Sequence, residues 1–179
     1  MKNYIPGSFL LLTTILLSTA SFAAETQCKN MKACAVWAMD KTSVKYDLGT
    51  FEKRSLKIEK DFLLSEGDPD FIFTFLLLQN SYSRIKREDG VYQVIQIREL
   101  KNYQFPLLKE DAIPNSLDFY SVEFTFSNKN KVKNAMQILK KYISKEGRLL
   151  EAADSLKVLV TDSAIQLQAL RAIAHELNK

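Results

Sequence analysis

The clearest hydrophobic rhythm in the chain lies near its end. Val122, Phe124 and Phe126 alternate with Glu123 and Thr125, the period of a strand with one buried face. Asn128 then stands where a helix N-cap belongs, and Val132, Met136, Leu139 and Ile143 recur at helical spacing. Leu149 to Ala152 and Leu156 to Val160 predict two short strands joined by an Asp154-Ser155 turn, and Gly147 punctuates the approach to the first. Thr161-Asp162-Ser163 is expected to cap a closing helix with Leu167, Leu170, Ala174 and Leu177 turned to the core. The order is strand, helix, strand, strand, helix.

The first half is patterned differently. Met31 to Met39 suits a short helix with Met31, Ala35, Ala38 and Met39 inward and Trp37 at its flank. Val44 to Leu48 and Ser55 to Ile58 alternate as strands, with Gly49 as a turn signal between them. A sharp helix start follows, in which Asp68 caps, Pro69 takes the first helical position and Asp70 adds negative charge to the first turn. The helix runs to about Asn80 and carries Phe71, Ile72, Phe73, Phe75, Leu76, Leu77 and Leu78, more than the single apolar stripe a surface helix needs. Either both sides pack internally, or part of the face, with Phe71, Phe73, Phe75 and Leu76 as the candidate residues, meets a partner. Tyr82 to Lys86, the turn Glu88-Asp89-Gly90, and Val91 to Ile97 predict a hairpin.

Residues 101 to 118 read as a connector, broken by Pro106 and Pro114 but holding Phe105, Leu107, Leu108 and Ile113 for partial packing. The expected organisation is a leader at 1–23, a first module at 24–100, the connector at 101–118 and a second module at 119–179. The fold class is α+β, as two small mixed modules. The leader is a secretory signal peptide: Lys2 supplies a positive start, Phe9 to Leu17 an apolar run and Ser21-Phe22-Ala23 a cleavage pattern. Its apolar run falls short of the about 20 residues of a membrane span. Export to the periplasm is therefore expected. Cys28 follows Glu25-Thr26-Gln27, which lacks the small apolar residues preceding a lipid-modified cysteine.

Export changes the meaning of Cys28 and Cys34. An even cysteine count in an oxidising compartment implies a bridge, and closing so short a loop stabilises by roughly 2 to 3 kcal/mol in the chain-entropy estimate. Six residues apart on one continuous helix their sulfurs would not meet, so Cys28 must precede the helix holding Cys34. The formal net charge, +4 for 179 residues, is too weak to argue for nucleic acid or anionic lipid. It is locally concentrated, however: Lys129, Lys133, Lys140 and Lys141 share one side of a predicted helix. That side is either a solvated face or a contact for an acidic protein or lipid surface, with Lys129, Lys133 and Lys140 as candidate partner-binding residues.

The order of elements over Ser121 to Asn178 resembles the repeated KH-like module of the periplasmic arm of bacterial secretins. Val122 to Phe126, the Asp154-Ser155 turn and Leu156 to Ser163 carry the resemblance. The first half is similar to the module preceding it there, which is shared with signalling domains of TonB-dependent receptors; the matching residues are Thr42 to Lys60, Phe71 to Ser83 and Gly90 to Ile97. That family module opens with a strand for which only Ala24 to Gln27 are available here, and the cysteine pair would take over its anchoring. Because the sequence stops at Lys179, no outer-membrane channel is expected from this chain alone. The resemblance implies a non-catalytic assembly or adaptor protein of a secretin-type secretion system (type II secretion) or type IV pilus, with protein partners and a homo-oligomer as candidate states. A signalling or receptor domain binding a peptide by strand addition is the alternative.

Chemistry is sparse. His175, the single histidine, follows Arg171 by one turn on the polar side of the closing helix and is expected to face solvent. No metal-ligand spacing accompanies it, and neither a phosphate loop nor a nucleophile elbow occurs. Glu66, Asp68 and Asp70 lack the spacing of an ion loop, and capping accounts for the last two. The Gly-x-x-Gly clamp by which KH domains hold RNA is absent. No catalytic residue, cofactor, metal, nucleic acid or small-molecule substrate is expected.

Overall fold

The computed structural model describes residues 28, 30–58, 67–152 and 155–179. The expected leader, Ala24 to Gln27, Glu66 and Asp154 lie outside the described residues. Within them the fold class is α+β, built on two sheets, each with its own helices.

The N-terminal half begins with the bridge Cys28–Cys34, whose Cα atoms are 4.1 Å apart. Cys28 precedes α1 (Met31–Lys41), as the geometry of a bridge requires. The helix start is held from two sides. Asn30 accepts from the Ala33 amide at 2.9 Å, while the amides of Met31 and Lys32 donate to the carbonyls of Arg54 and Glu52, so the orphan donors of the first turn are satisfied. The helix buries Met31, Cys34, Ala35 and Ala38.

Strand β1 is only Tyr46–Asp47. Gly49, at φ +50°, opens a 3-10 turn rather than a hairpin, and β1 pairs in parallel with Tyr92 and Gln93. Residues 55 to 58 form no ladder, which corrects the second predicted strand. Their backbone is held instead by one side chain: Asn80 accepts from the Lys57 amide at 2.7 Å and donates to the Lys57 carbonyl at 3.0 Å. Leu56 still reaches the core. The alternation marked which residues turn inward, but not that an amide side chain would replace a neighbouring strand.

Helix α2 (Pro69–Gln79) starts as expected, with Asp68 accepting from the Asp70 amide and Pro69 in the first turn. It buries Ile72, Phe73, Thr74, Leu76 and Leu77. Strands β2 (Tyr82–Lys86) and β3 (Tyr92–Gln96) pair antiparallel around a turn with Gly90 at φ +80°, a conformation glycine adopts without steric cost. The sheet order is β1-β3-β2.

The connector is more structured than its prolines suggest. A 3-10 segment, Ile97–Asn102, leaves β3. Leu107–Leu108 forms β4, which pairs in parallel with β5 (Phe119–Thr125). The second sheet thus has an edge strand outside the expected module. Helix α3 (Lys129–Tyr142) follows with Asn128 as N-cap, then β6 (Arg148–Glu151), β7 (Lys157–Ser163) and α4 (Ala164–Asn178), and the sheet order is β4-β5-β7-β6. Val122, Phe124, Val158 and Val160 form one core with Val132, Ala135 and Leu139 of α3 and Leu167, Leu170 and Ala174 of α4.

One junction differs from expectation. Thr161, Asp162 and Ser163 remain in β7, paired with Ser121, Tyr120 and Phe119, and Ser163 stands at the N-cap position without a side-chain capping bond. Asp162 is fully buried. Its carboxylate accepts from the Ser144 amide at 2.8 Å, the Ser144 hydroxyl at 2.7 Å and the Ser163 amide at 2.7 Å. The residue read as a cap instead ties the strand to the turn after α3, a partner 18 residues away that local pattern does not reveal.

Candidate functional site

Arg84 sits in the middle of β2 with its side chain 3% exposed. A buried guanidinium requires compensation for lost hydration, and every element around it supplies some. From α2, Asp70 receives Nη1 at 2.5 Å and Nη2 at 2.8 Å. From the bend just before β5, Asp118 receives Nε at 2.7 Å and Nη2 at 3.3 Å. The Tyr46 hydroxyl of β1 accepts from Nη1 at 2.6 Å and bonds in turn to Asp70. The guanidinium carbon lies 4.0 Å from the centre of the Tyr92 ring, a cation–π distance.

The electrostatics follow from this packing. Burial alone would raise the Asp70 carboxyl, but the hydrogen bonds and charge of Arg84, with the Tyr46 hydroxyl, hold it below its ordinary value. Burial likewise works against the Arg84 charge, and Asp70 and Asp118 reverse the effect and keep it protonated. Burial pushes the Tyr46 hydroxyl up, and that of Tyr92 up to about 12. Both phenols are therefore neutral donors and acceptors at physiological pH.

Because Asp70 and Asp118 come from opposite halves of the chain, Arg84 is a strut between the two sheets. Two further contacts run beside it. Ile95, Leu100 and Phe119 form a third apolar cluster, with Tyr103 and Phe105 packed against it. Arg148 of β6 donates to the Leu100 carbonyl at 2.8 Å. Beside Arg84 an open cleft of about 180 Å³ is lined by Arg84, Tyr92, Tyr103, Phe105, Asp118 and Tyr120, among others. The guanidinium is already committed to two carboxylates and a hydroxyl, so the arrangement is suited to clamping rather than to proton transfer.

The residues singled out from sequence do not gather here. Phe73 and Leu76 are fully buried in the first core, which corrects their assignment to a partner surface: the sheet and α1 already cover them. Phe71 is 38% exposed and Phe75 is partly buried, leaving a narrower apolar edge on α2 than its composition suggests. Lys129, Lys133 and Lys140 lie exposed on α3, at the far side of the second core. His175 is exposed and meets Glu110 at 3.0 Å. Among the described residues no group of three or more His, Cys, Asp or Glu side chains is placed to hold a metal, and none of the helices there is long and apolar enough to cross a membrane.

Sequence reasoning missed the Arg84 cluster. The available signal was a charged residue at the centre of a short predicted strand, with Asp70 explained too readily by helix-end electrostatics.

No protein-family model matches the chain, and no curated protein matches it. Solved structures do. A chain of the Klebsiella pneumoniae type II secretion system outer membrane complex, of PulD, PulS and the PulC HR domain, aligns with 86% of this chain at 12% identity and TM-score 0.63. This chain spans 26% of the length of that one. The N-terminal domain of the secretin XcpQ from Pseudomonas aeruginosa aligns over 80% of this chain and 59% of its own, at 8% identity and TM-score 0.31. A chain of the enterotoxigenic Escherichia coli GspC–GspD complex aligns over 80% and 88%, at 13% identity and TM-score 0.31. The first of these carries the likeness: this chain shares its fold with part of a chain of that outer membrane complex.

Proposed function

We propose that this chain is a non-catalytic assembly or adaptor protein of a secretin-type secretion or type IV pilus system, acting in the periplasm after removal of its leader. The observation that carries the reading is the likeness of 86% of the chain to part of a type II secretion outer membrane complex. In that reading residues 24–100 and 119–179 are two modules, and the connector is built into the second sheet as its edge. Arg84 fixes their relative orientation, so that surfaces on both halves meet a partner or a second copy together.

The open strand edges support contact by main-chain pairing. Leu107 on β4 and Leu150 on β6 are 60% and 58% exposed, and they lie on the two outer strands of the second sheet. The apolar edge of α2 at Phe71 and Phe75 and the lysines of α3 are the remaining candidate contacts. Crosslinking in cells followed by mass spectrometry tests the reading. Recovery of secretion or pilus components is expected. Recovery of a regulator or receptor favours instead a signalling domain that binds a peptide by strand addition. A hydrolytic or transfer activity intrinsic to the pure protein would overturn both.

A further inference from the structure

We propose that the outer edge of β2 docks an extended segment of a partner protein, which pairs main chain to main chain with Arg84 to Lys86 and sets an apolar side chain in the adjoining cleft. β2 is an outer strand, since the first sheet has the order β1-β3-β2. Arg84, Ile85 and Lys86 all line the cleft. Successive side chains of a strand point to opposite faces, so three consecutive lining residues place the cleft along the strand's edge rather than over one face.

The ladder fixes which groups that edge offers. The Arg87 amide donates to the Val91 carbonyl and the Ile97 amide to the Ser81 carbonyl, and between these bonds Tyr82 to Lys86 pair in register with Gln96 to Tyr92. Bonded and non-bonded pairs alternate along an antiparallel ladder. Ser83 and Ile85 therefore bond β3, while Arg84 and Lys86 turn their main-chain donors and acceptors outward. Among the described residues those groups of Arg84 and Lys86 have no partner. The Lys86 side chain leaves the edge clear, its Nζ lying 5.7 Å from the centre of the Tyr92 ring.

The cleft selects the occupant. Tyr103, Phe105, Phe119 and Tyr120 line it, with the Phe105 and Phe119 rings 5.7 Å apart, and such walls suit an apolar side chain. Its volume of about 180 Å³ is below the roughly 300 to 1,000 Å³ of small-molecule pockets. The outward donors and acceptors recur at every second residue, which is the repeat of another extended chain. In recognition of this kind main-chain bonds supply affinity and a pocket for one side chain supplies selectivity. Gln104 and Pro106 also line the cleft and lead into β4, the outer strand of the second sheet, so a bound segment touches both halves of the chain. The inference rests on the reading that this chain binds protein partners, which the adaptor and signalling readings share.

The probe is a phage-displayed library of short random peptides, selected on the chain purified after export, without its leader. Expected are peptides with an aromatic or large aliphatic residue among β-branched neighbours, and slowed hydrogen exchange of the Arg84 and Lys86 amides when one of them, made synthetically, is added. Lys86→Pro removes one outward amide at a position where an edge strand tolerates proline, and should weaken binding roughly tenfold. Lys86→Ala keeps the amide and should bind as wild type, with the fold of both variants checked by circular dichroism. Enrichment of no peptide, unchanged exchange at Arg84 and Lys86, or full binding by a folded Lys86→Pro would overturn the proposal. So would protection of amides in β4 or β6 instead, which would move the contact to the second sheet and leave the adaptor reading standing. That reading fails on crosslinking in cells alone, whatever the peptide does.

Discussion

Single residues in this protein are constrained most tightly where the chain turns from α3 into β6. A Cβ on Gly147 would stand 2.4 Å from Ile143 Cγ1 and 2.5 Å from Asp162 Oδ2, so glycine is required there for space. Gly147→Ala is expected to lower unfolding free energy by about 1 to 3 kcal/mol through overpacking, measured by urea denaturation. Its neighbour Asp162 adds a pH signature. Burial raises its carboxyl above the ordinary value, more than the bonds from Ser144 and Ser163 lower it. A group raised by folding contributes stability that is fully present below its unfolded value and is lost as pH rises through the folded one. Wild type should therefore gain stability relative to Asp162→Asn as pH falls from neutral through the folded value of Asp162. A flat difference across that range would contradict the buried carboxylate. Asp70 has the opposite sign: its contribution is present above the unfolded carboxylate value and disappears only as pH falls through a value below it.

At the scale of elements, recurrent spacing carries the prediction and long-range pairing carries the surprise. Two of the capped starts, Asn128 on α3 and Asp68 with Pro69 on α2, were legible because a cap acts within three residues. The hairpin around Gly90 was legible because its turn chemistry is local. The missing strand at residues 55 to 58 was not, since its substitute is Asn80, 23 residues away. Asn80 also ends α2, its side chain donating to the Leu76 carbonyl at 2.8 Å. Asn80→Ala is expected to cost about 1 kcal/mol or more and to increase hydrogen exchange of the Lys57 amide, while β2 and β3 keep their protection. Uniform loss of protection across the first sheet would show that the Asn80 contacts hold more than this segment.

For the molecule as a whole, the decisive feature is that Arg84 belongs to one sheet and Asp118 immediately precedes β5 of the other. Removing one partner from a buried ion cluster leaves a charge unpaired at a cost of about 3 to 5 kcal/mol, and Arg84→Ala should approach that in global stability. Asp118→Ala is the more selective change, because Asp70 and Tyr46 remain to satisfy much of the guanidinium. Its expected effect is a broader distribution of distances between spin labels at Val36 and Lys145, one exposed position in each half. An unchanged distribution would mean that the apolar cluster at Leu100 and Phe119 holds the halves without the strut.

The sequence by itself determined the α+β class, the order of elements over 119–179, the cysteine bridge and the starts of α2 and α3. Each of these depends on residues close together in the chain or on an inward-facing period. Tertiary structure alone decided the parallel pairing of β1 with β3 and the recruitment of Leu107–Leu108 into the second sheet. It also decided the burial of Phe73 and Leu76, the inward role of Asp162 and the clamp on Arg84. These depend on which surfaces meet, and a charged or apolar residue reads the same in sequence whether solvent or a distant partner completes it.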